Sequence, residues 1–142
     1  MASSCAGIET RNLIRQDVIA AIDGKSTGQV VSADSLSIQA NDNSEIDSEG
    51  GAVSVSLAVA LAGSSVAITG STATNVIDNQ VLATIAGMDL VQTSAGGVTV
   101  TATEQSNIDA NTFAASDAIG INFGGTVTIS ETTAKNEITT QT

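Results

Sequence analysis

The chain resembles itself at a spacing of about 62 residues, and no other feature limits its fold as much. Residues 35–47 (SLSIQANDNSEID) align with 97–109 (GVTVTATEQSNID) at an offset of 62. Leu36 then meets Val98, Ile38 meets Val100, Ala40 meets Ala102 and Ile46 meets Ile108, while Ser44 and Asp47 return as Ser106 and Asp109. A second block, residues 12–24 (NLIRQDVIAAIDG), aligns with 75–87 (NVIDNQVLATIAG) at an offset of 63. Its start returns as Asn136, Glu137 and Ile138, 61 residues beyond Asn75. Val66 and Ile68 correspond to Val127 and Ile129, and the residue lost between copies falls where residues 62–65 meet 124–126. The units are a partial copy (1–11), full copies (12–74 and 75–135) and a second partial copy (136–142) in one repetitive domain. Gly7 sits where Gly70 sits in the next copy, so the sequence enters in mid-unit. A chain so phased is expected to be excised from a longer array or to continue into a neighbour.

Within each unit the period is two. Val18, Ala20 and Ile22 alternate with other residues, as do Val81, Ala83 and Ile85, then Leu36, Ile38 and Ala40, then Val98, Val100 and Ala102. The longest run is Val53, Val55, Leu57, Val59 and Leu61, matched by Ile119, Ile121 and Phe123, with Asp117 opposite Val55. Val66 and Ile68 continue the pattern. Such alternation predicts half-buried strands, with Val, Ile, Leu and Ala inward and Ser, Thr, Asn and Asp outward. A helix competes only over residues 12–22 and 75–85, where Ile14, Val18 and Ile22, and likewise Ile77, Val81 and Ile85, recur every fourth residue. β-Branched density and few strong helix formers favour strand there too. Gly24, Gly28, Gly50, Gly51, Gly63, Gly70, Gly87, Gly96, Gly97, Gly124 and Gly125 are expected to mark turns. The fold class is therefore all-β, a repetitive β-solenoid-like or stacked-hairpin array whose units bury their faces on one another. Residues 53–68, with a Gly-Ser centre, would suit a hairpin.

Composition excludes several functions. Fifteen acidic residues against four basic ones give a net charge of −11, so Arg11, Arg15, Lys25 and Lys135 cannot form a basic face for nucleic acid. Anionic membranes would repel the chain. The most apolar stretch, residues 52–63, is too short for a membrane helix, which needs about 20 residues. Residues 1–10 show neither the charged nor the apolar part of a signal peptide. There is no His for an imidazole base or ligand. With 42% hydrophobic residues and a mean hydropathy of +0.24, the chain is folded rather than disordered. Cys5 has no internal partner, so no disulfide supports the fold.

Candidate chemistry is sparse. Gly24, Lys25, Ser26 and Thr27 resemble the end of a phosphate-binding loop, but Ile19 stands where the loop's first Gly belongs, and a polar turn is expected. The candidate metal ligands are Asp42, Glu45, Asp47 and Glu49, whose oxygens would suit Ca²⁺. Their spacing fits neither the EF-hand loop nor the glycine-rich nonapeptide of calcium β-rolls, so a solvated acidic turn is expected and no metal, cofactor or catalytic residue is assigned. Asp47 and Asp109 are repeat equivalents rather than a paired acid and base. Thr99 and Thr101, with Thr126 and Thr128, resemble the Thr rows of ice-binding solenoids, but Ser35, Ser37, Gln39 and Ala67 break the array in the first copy.

The motifs Asn75-Val76-Ile77, then Val81, Ala83 and Ile85, then Val98, Val100 and Ala102 with Ser106, Ile108 and Asp109, resemble repeat regions of giant bacterial surface proteins. Leukotoxin-like filamentous adhesins are among these. The Val/Ser/Ala/Gly strand of residues 52–63 belongs to the same style, and the resemblance covers essentially the whole chain in two copies. It implies an extracellular or cell-surface structural or adhesive role and transfers no catalytic residues. The mid-unit phase, with uncapped β edges, leads to the expectation of a fibre subunit or excised segment that assembles with itself, head to tail, through those edges. The alternative is a monomeric adhesion or binding module, either acidic and Ca²⁺-binding or ice-binding-like.

Overall fold

The computed structural model describes residues 1–25, 27–59, 63–121 and 124–142. Among the described residues it is all-β, 85% strand and without helix, which decides residues 12–22 and 75–85 in favour of strand. Seven strands follow in order: β1 (Ala2–Asp23), β2 (Val30–Ala33), β3 (Leu36–Val59), β4 (Ser65–Ala86), β5 (Leu90–Thr93), β6 (Val98–Ile121) and β7 (Thr126–Gln141). Most strands in globular proteins run about 5–6 residues. Here β1, β3, β4 and β6 run 22 to 24 residues, with no Pro to interrupt the ladder.

The sheets are parallel and close no barrel. Their strand orders are β1-β4-β7, β2-β5 and β3-β6. Every neighbour lies about sixty residues along the chain. β2 pairs with β5 from Val30↔Leu90 to Ala33↔Thr93. The Leu36 N–H donates to the Gly97 carbonyl, which sets Leu36 beside Val98 in β3 and β6. Side-chain bonds link β1 to β4 at a separation of 63 and β4 to β7 at 61. The small changes in separation arise in the connections. Six residues (24–29) join β1 to β2 but three (87–89) join β4 to β5, and two (34–35) join β2 to β3 but four (94–97) join β5 to β6. Because β3 and β4 belong to different sheets, residues 53–68 do not form the hairpin that their Gly-Ser centre suggested.

The chain packs as two compact units, and each long strand gives a stretch to both. The first comprises Met1–Asn12, Ile46–Asn75 and Ile108–Glu137. Ile46, Ala52, Ala58, Ala67 and Ala73 are buried in it, along with Ser48, Ser54, Ser56, Ser65, Thr69, Ser71 and Asn75. The second comprises Leu13–Glu45, Val76–Asn107 and Ile138–Thr142, and it buries Ile38, Ala40, Ile77 and Val81 with Asp42, Ser44 and Asn79. β4, flanked by strands on both sides, holds the most deeply buried residues.

This interior differs from the sequence expectation in one systematic way. Val53, Val55, Leu57 and Val59 face solvent, at 60, 59, 56 and 68% exposure, while Ser54, Ser56 and Ala58 face inward. The cause is parity. β3 alternates without a bulge from Leu36 to Val59, so burying the even-numbered Ile38, Ala40 and Ile46 turns odd-numbered residues out. Gly50 and Gly51, expected to be a turn that would reset the alternation, lie inside β3, and Gly70 lies inside β4. Ile68 is likewise turned outward, with Ala67 and Thr69 inside. Leu61 and Phe123 lie outside the described residues, as does the side chain of Ile121. The remaining glycines do mark connections, and some stack. A Cβ on Gly24 would strike the Gly87 carbonyl, one on Gly87 (φ +64°) would strike Gly24, and one on Gly124 would strike Gly63.

Candidate functional site

The inward faces carry hydrogen-bonded polar rows. In the first unit, Asn12 lies on β1, Asn75 on β4 and Asn136 on β7. The Asn12 Nδ2 donates to the Asn75 Oδ1 at 2.8 Å, and the Asn75 Nδ2 donates to the Asn136 Oδ1 at 3.0 Å. Asn75 is wholly buried. An amide carries both a donor and an acceptor, so identical side chains at one height can bond in series across parallel strands. Thr69 and Ser130 form a second link, at 3.2 Å, and the Ser130 hydroxyl meets that of Ser116 on β6 at 2.8 Å. Across the interior, the Ser71 hydroxyl donates to the Gly50 carbonyl and the Ser54 hydroxyl to the Ile68 carbonyl. Ser56 and Ser65 are exceptions, since their buried hydroxyls find no partner.

The second unit has its own polar cluster, and it absorbs one of the metal candidates. Asp42 faces inward, 7% exposed, and accepts from the Ser44 hydroxyl (3.0 Å) and the Asn79 Nδ2 (2.5 Å). The Asn79 Oδ1 in turn accepts the Gln16 N–H at 3.1 Å. The pattern returns one strand over, where the Ser106 hydroxyl donates to Glu104. Glu45, Asp47 and Glu49 lie on the opposite, solvent face of β3, about 6.6 Å apart along the strand. Alternation thus separates Asp42 from the other three, and the expected acidic turn is the middle of a strand. Among the described residues, no group of three or more acidic, Cys or His side chains could hold a metal ion.

The remaining candidates fall as follows. Residues 24–29 form the expected connection, with Ser26 outside the described residues. The Gly28 and Gln29 N–H groups, which a phosphate would need, both donate to the Asp89 carboxylate. Thr99 and Thr101 face outward on β6, whereas Thr126 and Thr128 share the parity of Ser130 and Asn136 on β7, so they form no common array. Cys5 is an exposed free thiol. Two exposed ion pairs, Arg15–Asp78 (3.0 Å) and Lys135–Glu137 (3.3 Å), contribute little to stability.

Two features went unassigned in the sequence. The asparagine row was visible as Asn12, Asn75 and Asn136, which mark the same point of the repeat, but their identity alone did not say that they face inward. The second is the outward apolar row of β3, which with Ile119 on β6 (45% exposed) faces solvent where the alternation predicts core; Phe113 on β6, 55% exposed, adds to it. No protein-family model, curated protein or solved structure matches the chain.

Proposed function

We propose that this chain is a structural β-solenoid segment of an extracellular or cell-surface fibre, in the manner of the filamentous adhesins its repeats resemble. Its work is to stack, each strand on the one about sixty residues away, and to continue head to tail onto further copies through the outer strands β1 and β7. The observation that carries this reading is the inward row Asn12–Asn75–Asn136, bonded in series at separations of 63 and 61 residues. Such a row gains one amide–amide bond per added strand and has no use in a cleft. In this reading the chain is not an enzyme and holds no cofactor. A second reading, a monomeric adhesion module, draws on the outward apolar row from Val53 to Val59, since contiguous exposed apolar surface marks contact sites.

Light scattering and electron microscopy of the purified chain separate the two. Stacking predicts linear assemblies that grow with concentration and lengthen with added salt, because copies carrying −11 repel one another at low ionic strength. A monodisperse 14.1 kDa species across salt and concentration contradicts fibre assembly and leaves the adhesion module.

A further inference from the structure

The asparagine row has a direction. In both of its steps the amide nitrogen nearer β1 donates and the oxygen nearer β7 accepts. One end of the row is therefore the Asn136 Nδ2, a donor with no protein partner among the described residues, and the other is the Asn12 Oδ1, an acceptor with none. Two such ends continue the row in series when copies add head to tail. Tail-to-tail docking would oppose two donors, and head-to-head docking two acceptors.

A second row repeats the arrangement. The Gln80 Nε2 donates to the Gln141 Oε1 at 3.0 Å, leaving the Gln141 Nε2 unused. In β1 the position equivalent to Gln80 holds Asp17, which can only accept when ionised. If Asn12 of an incoming copy lies beside Asn136, its Asp17 falls beside Gln141, because both pairs are five residues apart. A slip of two residues would set the Asn136 amide beside Ile14 or Thr10, and a slip of one would turn every side chain to the other face.

Resting on the stacking reading above, we propose that a second copy of this chain docks its β1 onto the open edge of β7 in this single register, selected by Asn12–Asn136 and Asp17–Gln141. All sixteen residues of β7 are exposed, and β4 is its one neighbour in the sheet. The same register sets Arg11 of the incoming copy beside Lys135, with Glu9 and Glu137 close by to offset the like charges. The β3-β6 sheet has two strands where its neighbour has three, so the junction rests on the β7–β1 edge and is weaker than the pairings inside a copy.

The register can be read by disulfide trapping, since the incoming Cys5 falls beside Ile129, which is 50% exposed. Adjacent strands about 4.8 Å apart lie within disulfide reach. Under mild oxidation, the full chain carrying Ile129→Cys should give reducible multimers roughly tenfold faster than chains carrying Val127→Cys or Thr133→Cys. Adding Asn136→Ala to Ile129→Cys should slow trapping roughly fivefold. Assemblies that trap fastest through residue 127 or 133, or equally through all three, overturn the register while leaving head-to-tail stacking in place. A chain that stays monomeric and traps at none of the three overturns both.

Discussion

Asn75 is a buried amide with a bond to each side, and its neighbours depend on it for partners. Replacing it with Ala strands the Asn12 nitrogen and the Asn136 oxygen at once. Asn12 is half-buried and Asn136 exposed, so water can reach both freed groups and the cost is that of two hydrogen bonds: Asn75→Ala should lower stability by roughly 1–3 kcal/mol in urea denaturation. Ser65 supplies the contrast. Its side chain is equally buried but its hydroxyl has no partner, so Ser65→Ala should be neutral or raise stability by up to about 1 kcal/mol. If both substitutions destabilise alike, the polar rows contribute only volume. The repeat alignment set Asn12, Asn75 and Asn136 at one position of the unit. It gave no reason to choose inward over outward, because an asparagine suits a solvent face equally well.

At the level of the element, the strand character of this chain was legible and the side each strand buries was not. Alternation in the sequence marks strands without saying which half of them meets the core. Ile38 and Ile46 occupy even positions of β3 and Val53 to Val59 odd ones, so one continuous strand cannot bury both sets. Taking Gly50 and Gly51 as a turn removed the conflict on paper. In the fold Gly50 points inward opposite Thr10 and Ser71, and a Cβ there would come within 3.5 Å of the Ser71 hydroxyl. The sheets approach closely at that point and the strand runs through. A charge scan tests the parity. Val55→Lys places a charge on the solvent face and should leave the melting temperature within a few degrees. Ala58→Lys buries one and should prevent folding, since an unpaired buried charge is far more costly than loss of an exposed Val. The reverse outcome would exchange the two faces of β3.

For the molecule as a whole, the proposed structural role draws on how the strand pairing spaces residues. Among the described residues, alternation deals the candidate ligands to opposite faces, Asp42 inward and Glu45, Asp47 and Glu49 outward. Anion-binding amides at the one phosphate-like turn are taken by Asp89. That proposed role rests on a stack whose interior is sustained by equivalent residues on successive strands, as in the Asn12–Asn75–Asn136 row. Paired cysteines in a Cys5→Ser background test it within one chain. Leu13 and Val76 are neighbours on the outward faces of β1 and β4, 63 residues apart in sequence like Asn12 and Asn75. The chain carrying Leu13→Cys and Val76→Cys should close an intramolecular disulfide rapidly, and the chain carrying Leu13→Cys and Asp78→Cys should not. Rapid closure of the second pair alone, or of neither, would contradict parallel stacking at this spacing.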